Sequence, residues 1–194
     1  MLPARRSALK TEELISIRLV CLFVSLFIVV SGSANTLKDQ KDNEARQAMT
    51  RAESLRATWT APTLRQALED YDKAYSIWTS ISDFTNASKA ALESGDIHFL
   101  FSEYAEALKR YKNAETTAAK SRDWLTQARA LSRMGRMHTY LGNNDLALQQ
   151  VNKALDIFTQ HDAVRSGGAS NAYGEVLTDL AEVTYEKGDF VKSS

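Results

Sequence analysis

Between Ser102 and Ala114 the chain reads SEYAEALKRYKNA, with Tyr104, Ala107, Leu108, Tyr111 and Ala114 spaced for one stripe of an α-helix and polar residues between them. The same skeleton stands 40 residues away on either side. LRQALEDYDKA (Leu64 to Ala74), YAEALKRYKNA (Tyr104 to Ala114) and NDLALQQVNKA (Asn144 to Ala154) align without a gap. Ala67, Ala107 and Ala147 coincide, as do Leu68, Leu108 and Leu148, then Tyr71, Tyr111 and Val151, then Ala74, Ala114 and Ala154. Each set reads Ala-Leu-x2-aromatic or aliphatic-x2-Ala, which predicts one amphipathic helix per copy.

A second amphipathic stretch precedes each of these. In ASKAALESGDIHFLF and ARALSRMGRMHTYL, Gly95 and Gly135 keep the spacing of 40, and so do His98 and His138; Phe84 and Trp124 do the same near the helix starts. LTDLAEVTYEKGDF carries a third copy with Ala181 in place of the glycine, 46 residues after Gly135, so SGGASN lengthens the loop before it. There Gly188-Asp189-Phe190 repeats the turn Gly142-Asn143-Asn144. Eight glycines and two prolines in 194 residues leave little punctuation for many short strands, so the fold class is all-α. A 40-residue period means antiparallel helix pairs, each burying one side against the next. The units run over 44–83, 84–123, 124–167 with its loop and 168–194, after a linker at 35–43. The last is incomplete at Ser194, as expected of a fragment or a shortened gene.

With these residues in view, the chain resembles the tetratricopeptide repeats, in which small residues sit where two helices cross closely and an aromatic wedges them apart. The resemblance covers about residues 44 to 194 and is carried by Gly95, Gly135, His98, His138, Ala107, Ala147, Tyr111, Val151, Ala114 and Ala154. It departs at Leu55 and Ala181, which replace glycine, and in having no proline to close a repeat. It implies a solenoid, a right-handed superhelix whose inner surface is lined by the first helix of each repeat. By that register Arg56, Trp59, Asp96, Phe99, Arg129, Arg136, Tyr140, Glu182 and Tyr185 belong to the inner surface. Arg129, Arg133 and Arg136 fall at i, i+4 and i+7, displaying three guanidinium groups beside Tyr140. Mixed charge with aromatics suits a protein or peptide partner. The plainer alternative is that Glu93 and Asp96, one repeat earlier, satisfy Arg133 and Arg136 as surface ion pairs. The chaperone-tail clamp of some family members does not carry over, because Leu92, Asp96, Ser132 and Arg136 do not supply its lysines and asparagines.

The first 34 residues read as an address. Arg5, Arg6, Lys10 and Arg18 precede the apolar run Leu19 to Val30, and SGSA follows, so cleavage is expected after Ala34 and the protein is expected to be secreted or periplasmic. The rival is an uncleaved membrane anchor, but the run of 12 residues is short of the roughly 20 that span a bilayer. Removing residues 1–34 takes four basic and two acidic residues from the 24 of each and leaves a net charge of −2, which implies no nucleic-acid partner. It also removes Cys21, the one cysteine, and with it thiolate chemistry. His98 and His138 lack a third ligand and read as packing residues, so no metal is expected. His161 is expected in solvent. SGGAS lacks the lysine and glycine spacing of a phosphate cradle, and no nucleophile elbow or HExxH is present, so neither cofactor nor catalytic residue is expected. Asn86-Ala87-Ser88 is a glycosylation sequon. Repeats of 40 behind a leader are similar to those preceding CHAT protease-like domains of bacterial multidomain proteins. That resemblance implies a recognition module with catalysis beyond Ser194. The alternative is the sensor part of a helical-repeat histidine kinase.

Overall fold

A computed structural model describes residues 36–161 and 169–193, with side chains on the last helix to residue 186. The leader, residues 162–168 and Ser194 lie outside the described residues. The chain divides into two compact units, 1–41 and 42–194. In the first, residues 36–41 are helical and 36–40 are exposed; the packing below belongs to the second. All regular structure among the described residues is helical: α1 over 36–57, α2 (Ala61–Ser80), α3 (Phe84–Leu100), α4 (Tyr104–Ser121), α5 (Trp124–Tyr140), α6 (Asn144–Gln160) and α7 (Ser170–Ser193). The stretch 35–43, read as a linker, is helical from residue 36. It holds neither glycine nor proline to break a helix.

The turns explain the period. Ser82, Ser102, Arg122 and Gly142 adopt positive φ of 61, 60, 58 and 74°. The N–H of the following residue then donates back five residues: Asp83 to Trp78 at 2.9 Å, Glu103 to His98 at 3.0 Å, Asp123 to Ala118 at 3.0 Å and Asn143 to His138 at 2.8 Å. This Schellman closure uses up one of the otherwise orphaned terminal carbonyls. The left-handed residues stand 20 apart, so one helix with its turn has a fixed length and a pair recurs at 40. Asp83 and Asp123 also open the next helix, accepting from the N–H of Asn86 at 3.1 Å and of Thr126 at 3.2 Å. The turn before α2 differs. Pro62, in the first turn of α2, and a Thr60–Thr63 capping box start α2 at Ala61, three residues ahead of the spacing set by Tyr104 and Asn144.

Helices adjacent in sequence pack together from α2 to α7, and α3, α5 and α7 also touch along the row of first helices. Ala67, Ala107, Ala147, Ala74, Ala114 and Ala154 are wholly buried, as are Tyr111 and Val151, with Tyr71 at 1 %. The small residues are demanded by approach distance. A Cβ on Gly95 would lie 2.6 Å from the Tyr111 ring, and one on Gly135 would lie 2.5 Å from Val151 Cγ2 and 3.1 Å from the Ala147 carbonyl. The core is therefore a series of clusters, one at each helix crossing. Ala91, Leu92, Tyr111, Ala130, Met134 and Met137 form one across α3, α4 and α5. Leu131, Val151, Phe158, Val176 and Val183 belong to the next, across α5, α6 and α7.

One expected turn is absent. Helix α7 runs through Gly188-Asp189-Phe190 to Ser193 where the sequence pattern predicts a break.

Candidate functional site

The first helices α1, α3, α5 and α7 lie side by side, and their shared face is a ladder of alternating charge. Arg56 on α1 pairs with Glu93 on α3 and lies 3.9 Å from Asp96. Arg133 on α5 reaches Asp96 at 3.4 Å and Glu175 on α7 at 3.2 Å. Arg136 lies 3.9 Å from Asp179, which accepts from Ser132 Oγ at 2.5 Å. Asp96 also accepts the Tyr111 hydroxyl at 2.8 Å. The sequence alternative of mutual neutralisation therefore holds for Arg133 with Asp96, whereas Glu93 serves Arg56 and Arg136 turns to Asp179.

Burial sets the protonation of these groups. Tyr111 is pushed far above the usual phenol range, first by burial and then by the Asp96 charge. Burial alone would pull Arg133 down, but Asp96 and Glu175 outweigh it and hold the guanidinium more firmly charged than usual. The Asp179 carboxyl is raised by burial against the hydrogen bond from Ser132 and the charges of Arg136 and Arg133.

The other site residues fall in four groups. Arg129 is half-buried, and among the described residues no carboxylate pairs with it and its Nε has no partner. Phe99 and Tyr140 form an aromatic group with Tyr104: Tyr104 stacks on Tyr140 at 5.2 Å, Phe99 tilts against Tyr140 at 5.6 Å, and the Arg136 guanidinium lies 4.8 Å over Phe99. Trp59 is not on a helix at all. The early start of α2 leaves it in the turn with φ 53° and 62 % exposed, beside a groove of about 380 Å³ shared with Arg56 and Glu93. Glu182 and Tyr185 stand on α7, the latter 69 % exposed.

A third cluster escaped the sequence reading. Glu103, at the start of α4, accepts from Arg65 on α2 at 2.5 and 3.1 Å and contacts His98 Nδ1 on α3 at 2.7 Å. Arg65 also lies 3.9 Å over the Phe101 ring. Its signal was available: Glu103 occupies the position that Asp83, Asp123 and Asn143 take at the other turns. The hydrogen bonds from Arg65 and then His98 hold the Glu103 carboxyl at about 2, below the usual 4.5. A carboxyl depressed on folding stabilises fully above its unfolded value, and that contribution fades as pH falls from about 4.5 towards 2. Urea titrations across this window should show a shallower pH dependence in Glu103→Gln than in the parent. Equal slopes would exclude the clamp.

The remaining motifs are structural. His98 is nearly buried, and His138 has its pKa lowered by burial and an unpartnered Nδ1. His161 ends α6, exposed, with its ring stacked on Trp124 at 4.6 Å. No three metal-binding side chains converge among the described residues. None of the described helices is long and apolar enough to cross a membrane. The sequon is closed, because Ala87 and Ser88 are fully buried and the Asn86 amide donates to Asp83 at 2.8 Å.

Residues 86–160, spanning α3 to α6, match the tetratricopeptide repeat family model. The chain has a tetratricopeptide-repeat fold. It is similar to the N-terminal domain of stress-induced protein-1 (STI-1) from C. elegans, with a TM-score of 0.53 and 20 % identity over 73 % of this chain and 97 % of that one. At that identity the likeness concerns the fold alone. No curated protein matches the sequence.

Proposed function

We propose that the chain is a non-catalytic scaffold that binds a protein or peptide through the face of its first helices. Tetratricopeptide repeats generally serve as such scaffolds. The observation that carries the reading here is the composition of the open face: most of its charges are matched within the stack, while Arg129, Tyr140 and Trp59 remain for a partner. Immobilised protein should retain a defined set of polypeptides, and the set should shrink for a variant carrying Arg129→Ala and Tyr140→Ala. Neither change removes an ion pair of the stack. An unchanged set would remove this face from consideration.

The basic residues, apolar run and small residues of 1–34 support export to a secreted or periplasmic location with cleavage after Ala34. Membrane attachment would come only from an uncleaved leader. N-terminal sequencing of the protein recovered outside the cytoplasm tests this. The 40-residue period behind a leader further supports a role as the recognition part of a CHAT protease-like protein, with the sensor region of a signalling protein such as a histidine kinase as the second reading. The first requires a folded domain bearing His and Cys downstream, the second an apolar run of about 20 residues.

A further inference from the structure

The outer stripe of α7 consists of Gly174, Thr178, Ala181 and Tyr185, with Leu177 and Thr184 beside them, and none of these residues is charged. Leu177 is 42 % and Tyr185 69 % exposed, and a Cβ on Gly174 would meet nothing within 4 Å. Both threonine hydroxyls are spent inside the helix. Thr178 donates to the Gly174 carbonyl and Thr184 to the Leu180 carbonyl, each at 2.9 Å. Apart from the Tyr185 hydroxyl, the stripe can therefore lose water without leaving a polar side chain unpaired.

The repeat itself narrows what covers this face. The positions equivalent to Leu177 and Ala181, 46 residues earlier, are Leu131 and Gly135, which pack against α6. There a Cβ on Gly135 would stand 2.5 Å from Val151. Ala181 carries that Cβ, so a second helix with valine or tyrosine at this point does not fit on α7. The open place has moved to Gly174, and the spacing of the stripe specifies what enters it. Gly174, Thr178, Ala181 and Tyr185 stand four, three and four residues apart, an order that reads the same in both directions. An antiparallel copy of α7 falls into register, with Tyr185 of each copy over Gly174 of the other and Thr178 against Ala181 between them. The largest residue meets the smallest, as in the Gly95–Tyr111 crossing. Head-to-tail association does not fit, because α1 at the other end of the stack turns exposed Asn43, Gln47, Thr50, Arg51 and Ser54 outward, polar groups that the α7 stripe cannot satisfy.

We propose that two copies of the chain associate through the outer stripes of α7, antiparallel and with twofold symmetry. The proposal is independent of what the inner face binds. Such a contact uses the same patch on both copies and closes at two. A single helix crossing buries less than the roughly 800 Å² per partner of a stable complex, so the dimer should dissociate on dilution with a Kd of about 10–100 µM.

Sedimentation of the full chain across this concentration range tests it. Gly174→Leu meets no atom of its own copy but should weaken the dimer about tenfold, because the other copy's Tyr185 ring occupies that space. Tyr185→Ala should also weaken it about tenfold. Combined, the two changes should restore association to within about threefold of the parent, since each leucine then faces the space the ring has left. Glu182 and Glu186 flank the stripe and approach their own kind in this arrangement, so raising salt from roughly 0.05 to 0.5 M should tighten the dimer about twofold. Circular dichroism checks that each variant stays folded. A chain that stays monomeric throughout overturns the proposal. Association that grows beyond two copies, or that ignores both single substitutions, overturns it as well, and so does a double variant weaker than either single one.

Discussion

Tyr111→Ala is expected to lower the stability of the stack by about 3–5 kcal/mol, the range for removing a large buried aromatic. The ring is fully buried and pressed so closely on Gly95 that a Cβ there would stand 2.6 Å from it. Its hydroxyl donates to Asp96, so truncation both opens a cavity and strips a partner from a carboxylate that two arginines share. Tyr111→Phe separates these effects: it keeps the ring and should cost about 0.5–1.5 kcal/mol. Gly95→Leu should destabilise by overpacking, about 1–3 kcal/mol. Combined with Tyr111→Ala it should cost less than the two losses added, because the new side chain enters the space the ring has left. Additive losses in thermal and urea unfolding would mean that Gly95 and Tyr111 do not share this crossing.

Much of this fold is legible in the chain because the residues that dictate it are small and recur. Alanine and glycine at 40-residue spacing have one physical use, close helix approach, and burial of Ala107, Ala147 and Gly135 follows from it. Less visible was the 20-residue period of the turns, since Ser82, Ser102 and Arg122 do in left-handed geometry what only Gly142 announces. The site was legible in part. A helical spacing of three arginines identifies a shared face but not which acid on a neighbouring helix each one meets. That depends on the crossing, which brings α7 within reach of Arg133 and Arg136. Trp59 stands in a turn and not on a helix for a local reason that the spacing of 40 does not reveal: Pro62 and the Thr60 cap start α2 early.

Arg133→Ala should cost about 2–3 kcal/mol, somewhat less than the 3–5 of a fully buried pair because its side chain is 15 % exposed. Arg129→Ala, four residues away on the same helix, should stay within about 0.5 kcal/mol. The contrast follows from partners, not from charge. Arg133 is the rung between Asp96 on α3 and Glu175 on α7, and removing it leaves Asp96 with the more distant Arg56 and the Tyr111 hydroxyl. A double-mutant cycle with Asp96→Ala should show coupling between the two residues, whereas Arg129 and Asp96 should behave additively. Equal losses for the two arginines would mean that the ladder does not hold the repeats together. If the contrast holds, stability and recognition are divided along one helix: the arginine in the middle fastens neighbouring repeats, and the groups left for a partner are Arg129 at one end and Tyr140 at the other.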